Sequence, residues 1–431
     1  STYLLLISLY IHINHHSKLF NYLFLSSRME KDWMIADLHI HSKYSRATSK
    51  NLSFENLVKW AKIKGLHLLG TGDFTHPIWF EEIKQLREEN GFFYYQDFPF
   101  IITGEISLMY TQDKGRRIHL VVLVPSIEVA EKINSYLDTK GRRDYDGRPI
   151  FKIPGDVFVK DLKAISDDIE IIPAHIWTPW FGLFGSMSGF NSLQECFKEQ
   201  TNKVCAIETG MSSDPEMNWK IKELENKSIV SFSDSHSFWP WRLGREATIF
   251  NKFDSYKDLI KQIKDNSFIG TIETEPAYGK YHWDGHRLCN FSCSPEKTKE
   301  LNGVCPICGK PLIIGVDYRV KELEDQPQGF KPKNAKPYFK LLPLHEIIAL
   351  AYSVKMESKK AWEVYNNLIE NFKEEFNILL NVKKEELMAK KVNDKLIELI
   401  LKNREAKIKI KPGYDGEYGV AQLEEKQATL G

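Results

Sequence analysis

The stretch Asp37-Leu38-His39-Ile40-His41 constrains this chain more tightly than any other. It follows Trp33, Met34 and Ile35, so it reads as the end of a buried β-strand. Alternate residues of a strand point to the same side. His39 and His41 therefore project together, and paired imidazoles at a strand end suit a metal such as zinc. On its own a His-x-His is more often one packed and one solvated histidine. Here further His, Asp and Glu residues fall where other strands should end, and that recurrence favours the metal.

Downstream, Phe54, Leu57, Val58 and Ala61 recur at helical spacing, with Ser53 placed to cap the start and Gly65 to end the helix. Leu66 to Gly70 then reads as a strand leading into Thr71-Gly72-Asp73-Phe74-Thr75-His76. Strand-like runs follow at 100–110, 118–124, 169–176, 204–209, 229–232 and 268–272, with amphipathic charged stretches between several of them. Alternating β and α elements predict an α/β fold with a parallel sheet, and this many of them predict a barrel. In such a barrel ionisable residues should gather at the carboxyl ends of strands. Asp73 follows one strand and Glu105 sits within the next; His175 closes Ile171-Ile172-Pro173-Ala174, and Glu208 closes Cys205-Ala206-Ile207. Asp234 and His236 close Val230-Ser231-Phe232, while His119, near the beginning of its apolar run, fits least well. Each alone reads equally as a satisfied core histidine or a surface carboxylate. Their concentration at strand ends predicts a polynuclear metal site.

Net charge over the 431 residues is +1, so any nucleic-acid contact has to come from local basic patches and not from a global field. One such patch is Gly141-Arg142-Arg143-Asp144-Tyr145-Asp146-Gly147-Arg148-Pro149, a loop whose arginines suit phosphate, with a solvated loop as the equal alternative. The run Trp177-Thr178-Pro179-Trp180-Phe181-Gly182-Leu183-Phe184-Gly185 directly follows His175, which predicts aromatics over the metal site, free to stack on an exposed base. Trp239 and Trp241 should add to the same rim. Cys289-x3-Cys293-x11-Cys305-Pro-Ile-Cys308-Gly309 has two Cys pairs, the second of knuckle type, and predicts one structural zinc on four thiolates. Cys196 and Cys205 read as plain buried thiols, and a reducing, cytoplasmic setting follows. Lys331, Lys333, Lys336 and Lys340 mark a linker before a helical region with Trp362, Tyr365, Leu368, Ile369, Phe372 and Phe376 along one stripe. Lys411-Pro412-Gly413-Tyr414-Asp415-Gly416-Glu417-Tyr418-Gly419 breaks helical order and suits either a cover over a ligand or a structured tail.

The expected organisation is an apolar extension over 1–28, a metal-dependent catalytic barrel over 29–280, a zinc-binding module over 281–325 and a helical region with a Gly/Tyr-rich tail over 326–431. The extension is too short to span a bilayer and lacks the basic start and cleavage site of a secretory signal, so no membrane association is expected.

The set Asp37-Leu38-His39-Ile40-His41, Thr71-Gly72-Asp73, Gly104-Glu105, His119, Pro173-Ala174-His175 and Ser233-Asp234-Ser235-His236 resembles the PHP (polymerase and histidinol phosphatase) superfamily. Its members are distorted TIM-like (β/α)7 barrels with two or three divalent metals at the strand ends. The resemblance implies that His39, His41, Glu105 and Asp234 hold one metal (zinc, manganese or magnesium). Glu105 would bridge to a second, held with His119 and His175, while His236 would serve a third with the help of Asp73 or His76. Phe74 stands where many members have a histidine, and Ala47 roughly where others have another polar ligand. Closely spaced metals lower the pKa of a water between them and stabilise charge on the attacking and leaving oxygens, which suits phosphate esters. No Ser or Cys nucleophile is needed; Asp234 or Glu105 would orient the water, and His175 completes the catalytic set.

The order of barrel, four-Cys module, helical region and tail is similar to the endonuclease Q family of that superfamily. Ile207-Glu208-Thr209-Gly210-Met211-Ser212-Ser213-Asp214-Pro215 and Tyr281-His282-Trp283-Asp284-Gly285-His286-Arg287 carry the same likeness. It implies a DNA repair endonuclease cutting on the 5′ side of deaminated bases (uracil, hypoxanthine, xanthine) and abasic sites, leaving a 3′-hydroxyl and a 5′-phosphate. Trp177, Trp180, Glu208, Tyr281, His282 and Arg287 would touch the damaged DNA, single- or double-stranded, and a monomer at the nucleoid is expected. Gln427-Ala428-Thr429-Leu430-Gly431 resembles the opening of a motif that docks on a sliding clamp, without the aromatic pair that anchors it. The alternative reading is a phosphatase of the superfamily acting on small phosphomonoesters such as histidinol phosphate, which has no evident use for the zinc module and tail. A catalytically dead nucleic-acid-binding barrel would need broken ligands, and a polymerase-associated exonuclease should digest undamaged single strands.

Overall fold

The computed structural model describes residues 33–423; the expected extension over 1–28 and the Gln427–Gly431 segment lie outside the described residues. The first strand, Trp33–Asp37, pairs in parallel with Leu68–Gly70 and antiparallel with Ala247–Asn251. Pairing continues in parallel to Phe98–Gln112, then antiparallel to Lys114–Val124 and on to Glu170–Pro173. Ala206–Glu208 and Ser228–Val230 pair in parallel with each other. Main-chain bonds beyond the strands close the ring: the Ile176 N–H donates to Glu208 O at 3.3 Å and the His41 N–H to Ser235 O at 2.9 Å. The result is the distorted α/β barrel expected from the alternation, with a mixed sheet in place of an all-parallel one. Leu68, Leu69, Ile101, Ile102, Val121 and Val122 are all buried, since side chains on both faces of these strands are covered.

The expected first helix forms as Phe54–Lys64, with Ser53 Oγ accepting from the Asn56 N–H and Gly65 at φ 92° ending it. The poor fit of His119 to the strand-end rule also resolves here. Its strand runs back antiparallel beside Phe98–Gln112, with His119 opposite Ser107, so the beginning of this strand lies where its neighbours end. The strand Ala247–Asn251 and the hairpin Arg87–Glu89/Phe92–Tyr95 were not expected; short antiparallel additions leave no distinct period in the sequence.

The C-terminal helices Leu344–Tyr352, Lys359–Phe372, Glu375–Leu380, Lys384–Ala389 and Asp394–Arg404 follow the barrel. Tyr365, Leu368 and Phe376 of the expected stripe are buried, and Trp362, Ile369 and Phe372 pack against the same core. Trp239 and Trp241 are not on the metal rim as expected. They stack on each other at 5.5 Å and lie within 5.7 Å of Trp362, because their loop turns toward the C-terminal helices. Among the described residues no helix is long and apolar enough to cross a membrane.

One buried ion pair ties the helices to the barrel. Lys64 Nζ donates to Glu375 Oε1 and to Pro240 O, both at 2.7 Å, while Glu375 also accepts from the Leu344 N–H and the Tyr365 hydroxyl. Removing one member of a buried pair strands the other charge, so Glu375→Ala should cost about 3–5 kcal/mol. Urea unfolding followed by circular dichroism reads this as a lowered midpoint; an unshifted midpoint would show that this pair does not hold the helices in place.

Candidate active site and metal centres

His39 and His41 leave the first strand, Glu105 projects from mid-strand, His119 from the returning strand, His175 follows Pro173, and Asp234 follows Ser228–Val230. The chain bends sharply at three of these strand ends: Asp73, His175 and Asp234 have φ of 46°, 30° and 48°. Positive φ costs a non-glycine residue about 1–3 kcal/mol, and such strain concentrates where a side chain has to be aimed.

The donors converge in two groups that share Glu105: His39, His41, Glu105 and Asp234, and Glu105, His119 and His175, each within 4.8 Å of one another. Glu105 Oε2 lies 3.2 Å from His41 Nε2 and 3.6 Å from His39 Nε2. Its Oε1 lies 2.7 Å from His119 Nδ1 and 3.1 Å from His175 Nε2. Asp234 Oδ1 is 2.9 Å from His41 Nε2 and 3.5 Å from His39 Nε2.

These residues fit divalent cations. His39 Nδ1 faces Glu208 at 2.8 Å and His41 Nδ1 faces Asp73 at 3.0 Å, so the ring proton of each sits on Nδ1. The Nε2 lone pairs are then turned inward, and His39 Nε2 is buried with no hydrogen-bond partner. Lone pairs and carboxylate oxygens facing one another in a dry space need a positive charge between them, and this mix of imidazole and carboxylate donors suits zinc or manganese. The same imbalance shows in the ionisation of the side chains. Burial alone would push His39 and His41 down. Glu208, Glu105 and Asp234 around the first, and Asp73, Asp234 and Glu105 around the second, outweigh it and hold both well above the ordinary value. Burial pushes His119 down to about 3, aided by Arg148 and His175, which leaves it neutral.

Several expected site residues stand elsewhere. Asp73 lies outside both donor groups: it is fully buried and accepts from His41 Nδ1, the Ser42 N–H at 2.6 Å and Ser45 Oγ at 2.8 Å, so it orients His41. Glu208, expected against DNA, is also fully buried, its oxygens taken by His39 Nδ1 and by the His175 N–H at 2.8 Å. His236 stacks on His41 at 4.3 Å with Nδ1 facing Thr48 Oγ1 at 3.2 Å, again outside both groups. Among the described residues the barrel holds no third group; Phe74, where a further histidine was the family pattern, is buried in the core. Trp177 is not on the rim: the loop folds back through Phe184 N–H to Ile176 O at 2.7 Å, and Trp177 donates to Asn218 Oδ1 at 2.8 Å inside the core. Trp180 remains partly exposed, its ring 5.6 Å from Tyr281 in an edge-on contact. His282 is partly exposed with an unpartnered, buried Nδ1, and Arg287 is exposed.

Beyond the barrel, His286, Cys289, Cys305 and Cys308 form a third donor group, with Cys308 Sγ 3.4 Å from His286 Nδ1. Cys293 packs in the same cluster as Cys305 and Cys289 but lies outside this donor group, with its Sγ 3.3 Å from Thr298 Oγ1. The hairpin Asp284–His286/Phe291–Cys293 places His286 opposite Phe291, near the knuckle, and a cysteine-only spacing rule overlooks it.

Because His39 and His41 are held above their ordinary values, protons compete with metal at these rings from a higher pH than for a free imidazole. Metal affinity should therefore fall as pH drops through the neutral range, a trend that calorimetric titration across pH 6–8.5 checks. Replacing Asp73 by Asn or Glu208 by Gln removes the group that aims an imidazole, and each should weaken metal binding about 10–100-fold. Metal competition with a chromogenic chelator measures this, and unchanged affinity in both variants would detach these carboxylates from the site.

Residues 343–407 match the family model of the MJ0043 C-terminal domain. Over 292 residues the chain is 33% identical to the uncharacterized protein MJ0043 of Methanocaldococcus jannaschii, covering 65% of this chain and 34% of that protein. The chain thus spans about a third of that relative's length. The crystal structure of the lesion-specific endonuclease PfuEndoQ from Pyrococcus furiosus superposes with a TM-score of 0.82 at 30% identity, covering 92% of this chain and 98% of that one. A structure of endonuclease Q bound to a 27-mer duplex with an abasic lesion at its active site gives the same TM-score and identity over 93% of this chain and all of that one. With fold, extent and sequence in common, the chain belongs to the endonuclease Q family.

Proposed function

We propose that this chain is a metal-dependent DNA repair endonuclease. Its substrate would be the phosphodiester on the 5′ side of a deaminated base (uracil, hypoxanthine or xanthine) or an abasic site, cut to a 3′-hydroxyl and a 5′-phosphate. The observation that carries this reading is the shared carboxylate: Glu105 joins two groups of donors on one rim, as two-metal hydrolysis of a phosphodiester requires. Two divalent cations (zinc, manganese or magnesium) in these groups would acidify water and offset charge on the attacking and leaving oxygens. The side chains have separate tasks. His39, His41, Glu105 and Asp234 hold the first site, and Glu105, His119 and His175 the second. Asp234 keeps 27% of its side chain exposed, which supports its role, rather than that of the buried Glu105, in orienting the attacking water. His175, as a donor of that second site, would help to steady the departing 3′-oxygen. Asp73 and Glu208 fix the imidazoles from behind.

A lesion base inside a duplex must be turned out to be read, and the partly exposed Trp180 and Tyr281 offer ring faces at the rim. Such stacking contributes about 1–3 kcal/mol per base. Arg287 lies beside Tyr281, whereas His282 faces Asp317, Glu275 and Asp214. The barrel over 29–280 is the catalytic unit, and the 281–325 module, whose donors include Cys289, Cys305 and Cys308, holds a structural zinc with His286 or Cys293 as its fourth ligand. A monomer acting on DNA in the cytoplasm accords with this assignment.

Oligonucleotide duplexes carrying uracil, hypoxanthine, xanthine or an abasic site, beside an unmodified control, test the proposal with the divalent metal varied and the cut mapped to the nucleotide. Nicking only 5′ of the lesion is expected, and Asp234→Ala should lose cleavage by at least about 10²-fold while still binding the abasic duplex. Release of phosphate from small phosphomonoesters without nicking would replace this reading by the phosphatase one.

A further inference from the structure

The 141–149 loop carries three arginines, and two are engaged locally. Arg142 Nε pairs with Asp144 Oδ1 at 2.9 Å and Arg143 Nε with Asp138 Oδ1 at 2.8 Å. Arg148 reaches the site instead. Its Nη1 donates at 2.8 Å to Glu105 Oε2, the same oxygen that His41 Nε2 approaches at 3.2 Å, and its side chain keeps 28% exposure. The backbone beneath it is tightly anchored. The Arg148 N–H donates to Asp146 Oδ1 at 3.1 Å, the Gly147 N–H to Tyr44 O at 3.1 Å, Thr75 Oγ1 to Gly147 O at 3.3 Å and the Ser107 N–H to Pro149 O at 3.0 Å. A Cβ on Gly147 would lie 2.1 Å from Asp73 Oδ2, so only glycine lets the loop pass this close to the carboxylate that aims His41. A cation is thus carried to the mouth of both donor groups on a fixed stalk.

We propose that Arg148 is a phosphate-binding residue of this active site, pairing with Glu105 at rest and with the non-bridging oxygens of the scissile phosphodiester when divalent cations take Glu105. The inference rests on the hydrolytic reading above. A divalent cation held by Glu105 would repel a guanidinium that lies 2.8 Å from its Oε2 and would compete for the same carboxylate. The nearest replacement anion is the phosphate that the cations themselves attract. The planar N–H fork matches two phosphate oxygens at once, which an ammonium does not. Partial exposure leaves the side chain room to turn outward, while the anchored backbone keeps that turn short. As negative charge builds on those oxygens during attack, the same donors oppose it.

The test compares wild type, Arg148→Ala and Arg148→Lys as full chains loaded with manganese. Calorimetry reads manganese affinity and then inorganic phosphate affinity at saturating manganese, and steady-state nicking of an abasic duplex reads kcat/KM. Arg148→Ala should keep manganese affinity within about threefold, weaken phosphate binding at least about tenfold and lower kcat/KM about 10²-fold. Arg148→Lys, which keeps the charge without the fork, should recover part of the phosphate affinity, and it carries the comparison if the alanine variant does not fold. Unchanged phosphate affinity in both variants overturns the proposal. So does a loss of manganese affinity as large as the loss of phosphate affinity, which would make Arg148 a structural counter-ion of Glu105. Wild type that nicks no lesion yet binds phosphate through Arg148 would remove the nuclease reading and leave this assignment standing.

Discussion

The whole site depends on one carboxylate held out of water among imidazoles. Glu105 is fully buried, with His39, His41, His119, His175 and Arg148 all directed at its two oxygens. Taking a carboxylate from water into protein carries a penalty of several kcal/mol unless positive charge or donors surround it. In the protein by itself, His119 donates a hydrogen bond, and the Arg148 guanidinium and the protons on His39, His41 and His175 supply that charge, which is why Glu105 is held well below the ordinary carboxylate range despite its burial. Cations binding there exchange with those protons, so affinity for metal and ionisation of the rim are two aspects of a single balance.

That balance requires aim, and the barrel supplies it in two ways. Strand ends deliver the donors from different directions, and positive φ at Asp73, His175 and Asp234 turns their backbones at the rim. Behind the rim, Asp73 and Glu208 each accept a ring N–H and so hold His41 and His39 in the tautomer that presents Nε2 inward. Both acids are completely buried, and their remaining bonds, from the Ser42 N–H and Ser45 Oγ to Asp73 and from the His175 N–H to Glu208, hold the carboxylates themselves in place.

The parts that follow the barrel are joined to its rim and not merely appended. Tyr281, at the start of the segment that carries the four cysteines, meets Trp180 of the loop after His175. The Gly/Tyr-rich tail returns to the same place: the Gly413 N–H donates to Ala277 O at 2.9 Å, the Gly416 N–H to Lys280 O at 3.0 Å, and Trp283 donates its N–H to Gly413 O at 3.0 Å. Segments more than a hundred residues apart in the chain thus meet beside the loop that follows His175.

The sequence by itself determined the α/β alternation, the capped first helix, the knuckle of cysteines and the identity of the convergent donors. All of these are short-range signals: side-chain period, capping residues and donor types at strand ends survive in a linear reading. It did not separate ligands from the residues that orient them. Asp73 and Glu208 stand at strand ends just as Glu105 and Asp234 do, and only the tertiary structure shows that their oxygens face Nδ1 and not the common centre. Nor could it say that the strand bearing His119 runs backward, that Trp177 turns inward, that Trp239 and Trp241 brace distant helices, or that His286 joins the cysteines. Each of those outcomes depends on which way a side chain points once partners far along the chain have been packed beside it, and that direction is a property of the assembled barrel.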